Sequence, residues 1–265
     1  MIGFLIKKTF FDLWDNLFRV ALLNLGFIAS LAIPVFLPGL LLSIPPLSIA
    51  VMAIGILWCS VYLSAAAMAL RHISDYGAFG FGDLPGCLKQ GWPSGVLVGI
   101  AVFVVYLLAT MIIPFYLGIA SLFGLLLAAV IFWTMAVCVV SLQFFFAIRA
   151  RLDTKLSKVF KKCFVFFFDN PGFCIFSFIH NLVLLALSGL LAFLFPGPAG
   201  ILLYLDEALR LRLLKYDWLE ENPPVAAEGA AKPKRPQIPW DALLIDDRDR
   251  TGTRSFKSFI FPWKD

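Results

Sequence analysis

Residues 155–212, KLSKVFKKCFVFFFDNPGFCIFSFIHNLVLLALSGLLAFLFPGPAGILLYLDEALRLR, contain the unit from which the chain is built. Lys155, Lys158, Lys161 and Lys162 are interleaved with apolar residues at helical spacing. Asp169-Asn170-Pro171 then opens a run from Gly172 to Phe195 that carries no Lys, Arg, Asp or Glu. The run closes on Phe195-Pro196-Gly197-Pro198, and a helix returns through Asp206-Glu207 to Arg210 and Arg212. About 20 consecutive apolar residues at 1.5 Å rise cross a bilayer as a helix. The unit is therefore a basic amphipathic stretch, a span, an uncharged turn and a returning helix.

The same order stands at the N-terminus. Lys7 to Asn16 leads into an apolar run over about 18–38, the turn Phe36-Leu37-Pro38-Gly39 follows, and a second run covers 45–70. Pro45-Pro46 marks that start, because a Pro in the first turn removes no bond the helix needs. Both copies carry Asp-Asn just before the span (Asp15-Asn16, Asp169-Asn170) and an Asn inside it (Asn24, Asn181). A fainter middle copy runs from Leu84 to Pro93, then spans 94–113 and 118–148 about the turn Pro114-Phe115-Tyr116. The fourth run is long enough to require tilt or projection. The last hairpin spans 172–195 and 198–218. The fold class read here is an all-α integral membrane protein, a six-span helical bundle of three hairpins with interfacial amphipathic helices and a cytoplasmic tail. Either a true repeat or low complexity in Phe and Leu accounts for the internal likeness.

Charge fixes the expected orientation. All 22 Lys and Arg fall on one side of this pattern, and the three turns on the other side contain none. Cytoplasmic loops carry the excess of Lys and Arg. Both termini are therefore expected in the cytoplasm, at the inner membrane of a bacterium. The chain is 61% hydrophobic with 28 Phe and a mean hydropathy of +0.90, against roughly 45–50% apolar residues in soluble domains. The 265 residues accommodate one bundle and a tail. The net charge of +5 lies in membrane-flanking loops, where it attracts anionic headgroups, so the bilayer and not nucleic acid is the expected partner. The five Cys form no C-x-x-C pair and read as small buried hydrophobes. No cleavable signal peptide is expected, since Met1–Ile6 is short and is followed by Lys7-Lys8.

Chemistry-bearing residues are few. Asp206 and Arg210 stand four apart on one helical face. Counted from Pro198, Asp206 lies about 12 Å into its helix. Two readings stand: a deep charge paired with Arg210 and facing the bundle interior, or a sixth helix that is short or displaced toward the cytoplasm, with these charges in the interface. His180, beside Asn181, is an intramembrane ionisable group and so a candidate site. Its other reading is a neutral His bonded between helices. Gln143 is able to bond across helices for about 0.6 kcal/mol. His72 with Asp75 reads as a solvated loop pair. No phosphate loop, zinc signature or G-x-S-x-G is present, and no catalytic residue, metal or cofactor is implied.

Two segments suggest surfaces. Leu152, Leu156, Val159, Phe160, Cys163 and Phe167 share one helical face, opposite Arg151 and Lys155, Lys158 and Lys162. That pattern suits a helix in the headgroup layer with its lysines on anionic lipid, a helix packed on its own bundle, or a surface for an acidic partner. Residues 221–239 are rich in Pro, Ala and charge and read as a linker. Residues 240–265 carry apolar islands around Asp246-Asp247-Arg248-Asp249-Arg250, and Trp240, Phe256, Phe259 and Trp263 are the candidate docking residues. They would dock on the bundle, the membrane surface or a partner.

The layout resembles the YesL-like family of small bacterial polytopic membrane proteins. The likeness rests on Asn16-Leu17-Phe18-Arg19-Val20-Ala21-Leu22-Leu23-Asn24-Leu25 and on the long second span ending Met68-Ala69-Leu70-Arg71-His72. It rests also on the basic segment before Asp169-Asn170-Pro171 and on the Phe195-Pro196-Gly197-Pro198 turn. It covers about residues 10–215. The resemblance implies an accessory role beside a carbohydrate ABC transporter and carries over no catalytic residue. The expected function is thus a non-enzymatic accessory or scaffold subunit with a protein partner in the membrane. The alternative is a small-solute transporter using Asp206, Arg210, His180 and Gln143.

Overall fold

The computed structural model describes residues 1–77, 79–223, 237–252 and 254. Among these the regular structure is all helical, from α1 (Ile2–Asp15), α2 (Leu17–Leu40) and α3 (Pro45–Ser74) to α4 (Leu84–Leu107). After α4 come α5 (Ile113–Gly118), α6 (Leu122–Leu142), α7 (Phe145–Arg151) and α8 (Leu156–Asp169). The series ends with α9 (Pro171–Leu190), α10 (Gly197–Glu221) and the short α11 (Trp240–Leu243) and α12 (Ile245–Thr251). Among the described residues five stretches are long and apolar enough to cross a membrane: Leu17–Leu40, Pro45–Ser74, Phe81–Gly118, Leu122–Arg151 and Pro171–Leu190. Their outward faces carry bare apolar side chains such as Phe36, Leu122, Phe123 and Trp133. That is the surface lipid requires and water penalises. The protein is an all-α membrane helical bundle.

The third span, which begins with α4, runs past the expected stop at Pro114. A π-helical turn over Leu108–Ile112 precedes the proline, which then sits in the first turn of α5. The helix is continuous through it, so the π turn is where the helical ladder gives way ahead of a residue that has no N–H to donate. The stop falls at Gly118, and α6 starts under Ser121, whose Oγ accepts from the Gly124 amide at 3.1 Å. The α3–α4 contact rests on small residues. Gly91, Gly95 and Gly99 recur every fourth position on α4 and lie against Ser64, Val61 and Leu57 of α3. A Cβ on Gly95 would stand 2.3 Å from Val61 Cα. Close backbone approach of this kind is how helices associate where lipid supplies no hydrophobic drive.

α10 is the central helix, packed on α1, α2, α3, α7 and α9. Its Ala199, Leu202 and Leu203 join one core with Leu13, Val20, Leu23 and Leu70. Its Tyr204, Leu205, Ala208 and Leu209 join a second with Leu5, Phe144, Ile148 and Val159. Asn24 of α2 fixes where it begins. The Asn24 amide donates to the carbonyls of Leu194 and Pro196, and its Oδ1 accepts from the Ala199 amide at 2.9 Å. The Phe195–Pro196 peptide in this turn is cis. Asn24 lies about 10 Å inside α2 at 1.5 Å per residue, and α2 continues about 24 Å beyond it. The α9–α10 turn thus stops well short of the far end of the α2–α3 hairpin. The helix expected over 198–218 forms as Gly197–Glu221, displaced toward the charged end of the bundle, with Asp206 buried among the helices.

Candidate functional site

Helix ends gather their charges at one end of the bundle. α3 brings Ser74 and the following Asp75 and Tyr76, α7 brings Arg151, α1 brings Lys8, Thr9 and Asp12, and α12 brings Asp247. Asp206, Glu207 and Arg210 reach them from α10. The expected Asp206–Arg210 pair does not form. Arg151 takes Asp206 with both edges of its guanidinium, Nε to Oδ1 at 2.8 Å and Nη2 to Oδ2 at 2.5 Å. The same Nη2 reaches Ser74 Oγ and Asp75 Oδ1, each at 2.9 Å. Arg210 turns instead to Asp247, donating at 2.8 and 3.0 Å. Spacing put Asp206 and Arg210 on one face, but each found a better-aligned partner on another element.

A second buried group surrounds Glu207. Lys8 Nζ donates to Glu207 Oε1 at 3.0 Å and to Asp12 Oδ2 at 2.5 Å. Thr9 Oγ1 donates to Glu207 Oε2. Burial works against the charge on Lys8, but the carboxylates of Glu207 and Asp12 outweigh it and hold its pKa above the ordinary lysine value. Tyr76 joins the two groups. Its hydroxyl donates to Asp247 Oδ1 at 2.8 Å, and Lys8, Arg250 and Arg210 lie over its ring. Burial pushes the Tyr76 phenol up to about 12, with Lys8 opposing the rise. Of the first group the sequence points to Asp206 and Arg210 but not to Arg151 or Asp247, and the group around Glu207 has no such pointer. Lys8 and Asp12, four apart on one helix, were the available signal.

His180 and Gln143 sit elsewhere. The His180 ring stacks on Tyr204 with centroids 4.1 Å apart, and its Nδ1 is buried without a hydrogen-bond partner among the described residues. The expected interhelical hydrogen bond is replaced by ring stacking. Gln143 does bond across helices. Its Nε2 donates to the Cys174 carbonyl at 2.9 Å, and its Oε1 accepts from Asn181 at 3.3 Å. The four residues Asp206, Arg210, His180 and Gln143 therefore form no single site.

In α8, Val159, Cys163 and Phe166 are buried against Phe144, Ile148 and Phe173. That face packs on the protein's own bundle, because α7 folds back onto α8 through the short 152–155 link. Phe160, Val165 and Phe168 stay exposed, as do Lys155, Lys158 and Lys161, while Lys162 reaches Asp153 at 3.5 Å. The tail also returns to its own bundle. Leu244 is fully buried in the core that Trp240 packs against. Phe256, Phe259 and Trp263 lie outside the described residues.

Beside the ion pairs, a polar cleft of about 1180 Å³ opens between the end of α3, the start of α4 and the end of α7. His72, Asp75, Asp83, Gln90, Arg149 and Arg151 line it. Of this lining only His72 and Asp75 are legible in the sequence, as a loop pair, since nothing local links them to residues 83–90 or 149–151. No family model matches the chain, and no match was found among curated proteins or solved structures.

Proposed function

We propose that this chain is a non-enzymatic accessory or scaffold subunit of a bacterial inner-membrane complex, with its charged end and both termini in the cytoplasm. The observation that carries this reading is the commitment of α10's charges. Asp206, Glu207 and Arg210 are each bound by a group from another element of the same chain. Groups so bound lock helices together, and their exchange along a solute path would strand a buried charge at a cost of about 3–5 kcal/mol. The orientation follows from the charge bias, and a place beside a carbohydrate ABC transporter follows from the family resemblance. The test is affinity purification of the full chain in a mild detergent, with mass spectrometry of what accompanies it. A membrane protein at near-equal stoichiometry is expected. Elution of the chain alone under every mild detergent contradicts the reading.

The transporter reading keeps one observation of its own. Arg151 lines the open cleft and also holds the buried Asp206. Solute uptake into proteoliposomes that is abolished by Arg151→Gln would favour it over the scaffold.

A further inference from the structure

We propose that the cleft between α3, α4 and α7 binds a phosphate group, with Arg149 as its main anion-holding residue. The proposal follows from sorting the charges around the cleft by what already holds them. Asp75 is bridged by Arg71 at 3.5 Å, Arg151 at 2.9 Å and Arg210 at 3.6 Å. Asp153 takes the Lys155 amide at 3.0 Å and Lys162 at 3.5 Å. Asp83 accepts from the Gly80 amide at 3.1 Å. Each carboxylate of the lining thus has a donor, and Arg151 is consumed by Asp206 and Asp75.

Arg149 is different. Among the described residues it has no ion-pair partner. Among the described residues its Nη2 reaches only the Gln90 carbonyl, at 3.5 Å, and its Nε is buried with no partner. A guanidinium is a planar fork whose five donors match a phosphate bidentately, and it stays charged at any physiological pH. A partly buried one without an anion is an incomplete interaction. Arg71, whose Nη1 donates to the Ala150 carbonyl, adds a second guanidinium to the same wall. The facing wall leaves room, since a Cβ at Gly82 or Gly86 would meet nothing within 4 Å. A volume of about 1180 Å³ exceeds the roughly 300–1,000 Å³ of ordinary small-molecule sites. It holds a whole headgroup or a small phosphorylated solute with water around it. The phosphate belongs either to a membrane lipid or to a soluble molecule, and the chemistry of capture is shared.

Two arms of one experiment separate these sources. Full-length protein in phosphatidylcholine nanodiscs is titrated calorimetrically with inorganic phosphate at low salt. In parallel, protein from phosphatidylglycerol nanodiscs is examined by native mass spectrometry for retained phosphatidylglycerol. Saturable binding in at least one arm is expected, and the responding arm names the source. Arg149→Gln is expected to weaken it about tenfold or more, and Arg149→Lys less, because a lysine keeps the charge and loses the fork. Gly86→Asp, which adds a carboxylate to open space, is expected to weaken it as well and serves if the arginine variants misfold. Silence of both arms with the wild-type protein overturns the proposal. So does unchanged binding in any of these substitutions that keeps the wild-type helical spectrum and elution volume.

Discussion

Asp206 and Arg151 are both withdrawn from water, with side chains 3% and 9% exposed, and each is tolerable there because of the other. Asp206→Leu is therefore expected to destabilise by about 3–5 kcal/mol, because it leaves a buried guanidinium short of its partner. The double change Asp206→Leu with Arg151→Leu is expected to cost less than the single one, as apolar replacement of both partners often does. Thermal unfolding in detergent checks this, and equal losses in the two variants would contradict the pairing. Lys8 and Tyr76 give the pH dependence. Both folded values lie above the ordinary ones. The stability they supply is thus full below about pH 10 and is lost as pH rises through the folded values. Melting temperature is expected to hold level from about pH 8 to 10 and fall above that. Tyr76→Phe, which cannot ionise, should soften the fall.

At the scale of elements, the α3–α4 contact is set by glycine. Gly95→Ala is expected to cost about 1–3 kcal/mol through overpacking against Val61, while Gly86→Ala, with open space around it, should be near neutral. Melting of the two variants side by side tests the contact. The Gly91, Gly95 and Gly99 spacing is legible in the sequence as a small-residue stripe. The spans themselves were legible because apolar runs and Pro/Gly turns are local signals. Pro45 opened α3 as expected, and Asn16 and Asn170 each stand at the start of a span. What was not legible is non-local. Nothing within residues 206–212 indicates that Arg151 and Asp247 outcompete the i, i+4 partner. Nothing near Asn24 indicates that it caps a helix starting at Gly197. The π turn that lets α5 continue past Pro114 has no sequence mark either.

For the molecule as a whole, the charged end is one assembly to which α1, α3, α7, α10 and the tail all contribute. The tail is part of it, since Asp247 holds both Arg210 and Tyr76 and Leu244 is buried in the core. Deleting residues 240–265 is therefore expected to lower the melting temperature of the bundle, and Asp247→Ala to reproduce part of that loss. A deletion that leaves melting unchanged would mean the contact contributes nothing. The proposed orientation puts this charged assembly in the cytoplasm and the α2–α3 and α5–α6 turns across the membrane. Single cysteines at Gly39 and Gly118 and at Lys89 and Lys162, in a chain whose own five Cys are replaced, test it by labelling in intact cells. A membrane-impermeant maleimide is expected to label positions 39 and 118 and to reach 89 and 162 only after lysis. Labelling of 89 or 162 in intact cells would contradict the orientation.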